Sequence, residues 1–104
     1  MTEQTEYTPQ PPRTQGDIDA LVSFVQARVK PLRDAARYDS EECKAFQALL
    51  DLTVYVKGSA EWELSRGEDP SMQFHYLALI TRQWDEHPDF QRSWDPYGTG
   101  PENA

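Results

Sequence analysis

At 104 residues and 38% apolar composition, the chain has length for one domain and no more. Its formal charge of −8 disfavours direct nucleic-acid binding and anionic membrane surfaces, and leaves basic protein surfaces as plausible partners. A single cysteine, Cys43, excludes an internal disulfide; with no basic-then-apolar leader and no apolar run of spanning length, the expected setting is cytoplasmic.

Residues 1–16 hold three prolines and no aliphatic residue after Met1, so they read as a disordered tail. Asp17, directly after Gly16, is a good N-cap for a first helix. From it Ile18, Leu21, Val22, Val25, Val29, Leu32 and Ala36 recur at helical spacing, with Asp19, Gln26, Arg33 and Arg37 outward. Pro31 falls inside this pattern and predicts a kink near Val29, because proline removes one backbone hydrogen bond and crowds the carbonyl four residues back.

A second element opens at Asp39 or Ser40, where Asp39 and Glu42 have the spacing of a capping box. Cys43, Phe46, Leu49, Leu50, Thr53 and Val54 follow a period near 3.6. Beyond them two readings stay open. Alternation through Leu52, Val54 and Val56, then through Ala60, Trp62 and Leu64 after Gly58-Ser59, suits a hairpin. The preferred reading is one long helix ending near Arg66, with Gly67 as its stop.

Asp69-Pro70 announces a third helix, with proline at its first position, expected to run to about Glu86 and to stop before Pro88. Met72, Tyr76, Leu79 and Ile80 form one apolar stripe on it; Phe74, Leu77, Ala78 and Thr81 form another. A helix apolar around most of its circumference is expected to be buried on more than one side, at the centre of the fold. Residues 88–94 would add a short turn that folds Phe90 and Trp94 back over the bundle. The whole reads as an all-α, antiparallel three-helix bundle over residues 17–92, followed by a C-terminal tail at 93–104.

Three segments, Asp19 to Arg28, Glu42 to Leu52, and Trp84-Asp-Glu-His-Pro-Asp-Phe90 with Trp94 beyond it, together resemble a family of small helical proteins of actinobacteria and their phages. The resemblance covers about half the chain, and a Trp-His segment that follows the family's first helix is missing. It implies an all-helical fold of actinobacterial or phage origin. Since the family has no established activity, it implies no catalytic residue.

Among side chains that could carry chemistry, Cys43, His87 and one of Asp85 or Asp89 would make an incomplete metal site, His75 lying three turns away, and no paired ligand spacing is present. Cys43, His87 and Asp89 could be arranged as nucleophile, base and orienting group, but nothing marks a strained turn or an oxyanion hole. The paired carboxylates Glu41-Glu42 and Asp85-Glu86 read as solvated helix faces. No catalytic, metal or cofactor residue is therefore assigned.

Partner binding is the stronger reading. Lys30, Arg33 and Arg37 share a basic helical face that suits an acidic partner or the acidic second helix of another copy. The helix exit, with Trp84, His87, Asp89, Phe90 and Trp94, reads first as a structural anchor that folds the chain back, and second as a partner surface, since Trp dominates binding hot spots. The expected function is a non-enzymatic protein–protein interaction or regulatory module, possible partners being another protein or a second copy, encoded by a phage or mobile element. An acidic DNA mimic and a small metal-dependent enzyme are the alternatives.

Overall fold

The computed structural model describes residues 12–95. They form α1 (Gln15–Ala35), α2 (Glu41–Ser65) and α3 (Ser71–Thr81), followed by 3-10 turns at Arg82–Trp84 and Arg92–Trp94, with no strand among the described residues. The all-helical expectation holds, and the ambiguous stretch from Thr53 to Leu64 is helix throughout. None of these helices is long and apolar enough to cross a membrane.

The start of α1 lies two residues before the expected one. Thr14 is the cap: its hydroxyl accepts from the Asp17 amide at 3.2 Å, and the Asp17 carboxylate accepts from the Thr14 amide at 2.8 Å. Asp17 is thus the far half of a reciprocal capping box, not the cap itself. Arg13 is fastened too. Its amide donates to Asp69 at 3.2 Å, and its guanidinium lies 3.8 Å from the centre of the Phe74 ring. Arg13 to Gly16, assigned to the N-terminal tail, therefore belong to the fold, and residues 1–11 lie outside the described ones.

Helix α1 continues unbroken past Pro31 to Ala35. Pro31 and Ala27, whose carbonyl loses the proline's missing donor, are both exposed, so the released carbonyl is on the side open to water. Ala36 then turns extended at φ −75° and ψ 152°. That ending leaves Arg37 beyond the helix, off the face it was expected to share with Lys30 and Arg33.

Ser40, not Asp39, caps α2, accepting from the Cys43 amide at 3.1 Å. Asp39 cannot serve because its φ of 63° places it in the left-handed region, which a short polar side chain tolerates. At the other end Gly67 stops the helix as expected, at φ 74°. The Gly67 amide donates to Leu64 at 3.0 Å and the Glu68 amide to Glu63 at 2.9 Å, the two bonds of a Schellman closure.

Helix α3 is shorter than expected. Its N-cap is the buried Pro70, with no side-chain cap bond, since Asp69 instead takes the Arg13 amide. The ladder tightens after Thr81, five residues before Glu86. The hydroxyl of the fully buried Thr81 donates to the Ala78 carbonyl at 3.0 Å, a back-bond that bends helices, and successive turns at Asp85 and His87 carry the chain to Pro88.

Helix α1 occupies the centre. Ile18, Leu21, Val25 and Val29 are completely buried and Val22 nearly so. Ile18, Leu21, Val22 and Phe24 join Val56, Ala60, Phe74, Leu77, Ala78 and Trp94 in one core cluster. Val25 and Val29 join Leu50 in a second. Gln15 in the first turn of α1 bonds Glu61 late in α2, and Arg33 late in α1 bonds Gln47 early in α2. Helix α3 does not take the central place expected of it: only its Phe74, Leu77, Ala78 and Thr81 stripe is buried, while Met72 and Tyr76 stay about half exposed.

Two glycines of α2 respond to alanine with opposite signs. At Gly58 a Cβ would meet no atom within 4 Å, so Gly58→Ala should add about 0.5–1 kcal/mol of stability by removing a mid-helix entropy cost. At Gly67 the positive φ penalises any Cβ, so Gly67→Ala should lose on the order of 1 kcal/mol. Urea denaturation of both variants checks the pair of signs.

Candidate functional site

The segment after α3 doubles back across α1, and Phe24 is where it lands. The Phe24 ring meets Trp94 at 5.2 Å, His87 at 5.5 Å and Phe90 at 6.3 Å between centres, all edge-on, the arrangement favoured by aromatic quadrupoles. Phe90 and Trp94 also meet each other edge-on at 5.6 Å. The Asp89 amide donates to His87 Nδ1 at 3.0 Å, and the Arg28 guanidinium lies against His87 Nε2. Beyond Trp94, the side chain of Asp95 is buried 3.8 Å from Arg82 Nε.

This geometry decides what each residue singled out at the helix exit can offer. Trp94 is buried, 6% exposed, inside the core cluster, so it is unavailable as a surface anchor. Trp84 is partly buried and packs against both clusters; Phe90 is partly buried against the first. His87 is half-buried by Phe24 and Arg28, and Asp89 alone among these residues is largely exposed. These side chains hold the returning chain down. Ser93 to Asp95, assigned to the C-terminal tail, therefore belong to the fold, and residues 96–104 lie outside the described ones.

The basic residues are dispersed. Arg33 is engaged locally, its Nε 3.1 Å from Asp34 and another nitrogen 2.9 Å from Gln47. Lys30 is exposed on α1, and Arg37 is exposed in the connection to α2. Cys43 is half-buried in a shallow recess with Tyr38, Asp39 and Gln47, on α2 and the turn before it. No group of three His, Cys, Asp or Glu side chains among the described residues is placed to hold a metal ion.

A different feature stands out on the opposite faces of α2 and α3. Leu52, Tyr55 and Val56 on α2 and Tyr76, Leu79 and Ile80 on α3 line a groove of about 400 Å³ whose walls are apolar almost throughout. Leu52 is 51% exposed, Tyr55 75% and Tyr76 49%. Met72 and Trp62, each 59% exposed, are further exposed apolar residues of the same two helices. No Asp, Glu, Lys or Arg occurs in α3 from Ser71 to Thr81. Sequence reasoning had these α3 residues as a stripe, but assigned them to the interior; Leu52, Tyr55 and Val56 were lost in the helix-or-hairpin ambiguity. The available signal was the second stripe of α3, which needs a second neighbour that the described residues do not supply.

No protein-family model, curated protein or solved structure matches this chain. Its geometry is thus the basis for any reading of what it does.

Trp94 and Trp62 separate an anchor from a surface residue. Trp94→Ala should cost about 3–5 kcal/mol, since it empties a packed site on Phe24. Trp62→Ala should cost under about 1 kcal/mol, because its ring is 59% exposed and held by a surface cation–π contact with the Arg66 guanidinium, 4.3 Å from the ring centre. Thermal and urea unfolding of the two variants measure the difference.

Proposed function

We propose that this protein is a non-enzymatic protein–protein interaction module, and that the α2–α3 groove is its docking surface. The supporting observation is an apolar groove left open to solvent with no charged residue in its lining. Contiguous exposed apolar surface is rare on monomeric proteins and marks interaction sites where it occurs. The exposed Tyr55 and the half-exposed Tyr76 fit such a role, since tyrosine brings a large rigid apolar ring with a polar tip and is enriched at the centres of interfaces.

The walls come from two neighbouring helices, which suits a helical partner laid along the groove with its own apolar residues inserted between them. Affinity would come from burial of Leu52, Leu79 and Ile80, and orientation from the hydroxyls of Tyr55 and Tyr76. The basic residues of α1 and its connection, Lys30 and Arg37, contribute to encounter with an acidic partner and less to affinity.

A photoreactive phenylalanine analogue at position 55 or at position 37, introduced in cells that express the protein, tests this assignment. Position 55 is expected to yield a discrete protein adduct and position 37 none. Adducts from position 37 alone would move the docking surface to the basic side, and the absence of adducts from position 55 would reject the groove.

A further inference from the structure

We infer that the occupant of the α2–α3 groove is a second copy of this chain, joined through a twofold axis. The inference rests on the docking reading above and adds to it the identity of the partner. Charge is the first argument. Each copy carries −8, so two copies repel over most of their surfaces, and they approach with least penalty where charge is absent. The groove is such a place: no charged side chain lines it, and α3 holds no Asp, Glu, Lys or Arg between Ser71 and Thr81. A basic helix would need carboxylates along the lining to recognise it, and the lining has none.

Shape is the second argument. The groove has a wall on each side, Leu52 and Tyr55 on α2 and Tyr76 on α3. A surface made of ridge, groove and ridge is complementary to itself under a twofold rotation, which seats one wall of each copy in the groove of the other. The result is a face-to-face packing of four helices, two from each copy.

Area is the third. The exposed parts of Tyr55, Tyr76 and Trp62, rings that bury about 150–250 Å² each when fully covered, supply on the order of 300 Å². Leu52 and the other groove residues, with Met72 exposed on the same helix as Tyr76, extend this toward the roughly 800 Å² per partner of a standard interface. A second copy also gives the α2–α3 pair an opposite layer that the described residues do not build, a common recourse for domains with small cores.

Sedimentation equilibrium of the full chain over a range of concentrations tests the inference. The expected result is a species of twice the 12.0 kDa chain mass, with Tyr76→Glu and Leu52→Glu each raising the dissociation constant at least about tenfold. Both positions are half exposed, and circular dichroism and urea unfolding confirm that the variants keep their fold. Val54→Glu serves as the matched control: Val54 is also 55% exposed but lines a separate recess with Asp19 and Lys57, so the dimer should persist. Added salt should leave the dimer intact or strengthen it, as screening removes the repulsion between copies. A monomer at every concentration overturns the inference, as does a dimer indifferent to both groove substitutions. If the chain is monomeric and position 55 still cross-links to a different protein, the docking reading survives while self-association fails. If position 55 yields no adduct, both fail.

Discussion

The rest of the structure depends on burial of the apolar stripe of α1. Ile18, Leu21, Val25 and Val29 have no exposed surface, and they acquire that burial from two directions. Val56, Ala60 and Leu50 cover the stripe from α2; Phe74, Leu77 and Ala78, with the returning Trp94, cover it from α3 and beyond. Each of the covering helices commits one face to this task. Thr53 lies fully buried on that face of α2, its hydroxyl satisfied by the Leu49 carbonyl at 2.8 Å, so even the polar atom there is accommodated within the helix. Everything else on α2 and α3 is set by what remains after α1 has been enclosed.

The aromatic return follows from the same constraint. α3 is only 11 residues long, too short to cover α1 over its 21 residues. The chain beyond it supplies the missing cover in the form of large rings rather than a longer helix, with Phe24 as their common neighbour. Bulky edge-on rings bury much area per residue, which suits a segment of irregular backbone that cannot present a regular stripe. The residues most suggestive of binding in the sequence, Trp84, Phe90 and Trp94, are in this way absorbed into holding the fold together.

Charge and apolar surface are segregated on the finished molecule. Several carboxylates are engaged locally around it, for example Asp19 with Gln15 at 2.8 Å and Glu61 with Lys57 at 3.3 Å. The α2–α3 groove has no charge in its lining and keeps apolar side chains in water. Such exposure carries a cost of roughly 25 cal/mol for each Å² left uncovered, which gives the groove its capacity to drive association. The groove and the core therefore have one origin: the same apolar sequence furnishes both, and among the described residues only the core is covered.

Local features of the fold were legible in the sequence. The helical periods of α1 and α2, the stop at Gly67 and the fold-back of Phe90 and Trp94 could all be read, because each depends on residues a few positions apart or on a strong hydrophobic preference; the end of α3 at Thr81, well before Pro88, could not. Cap positions were off by one to three residues for a physical reason: Thr14 and Asp17 act reciprocally, and the left-handed turn at Asp39 passes the role to Ser40. Phe24 could not be ranked as a hub, since its partners come from more than 60 positions away in sequence, and neither could Trp94 be told from Trp62. Most of all, sequence alone showed that α3 carries two apolar stripes but not which one the chain could cover. Tertiary packing decided that, because burial of a stripe requires a facing surface in space, and only the position of α1 determines where such a surface exists.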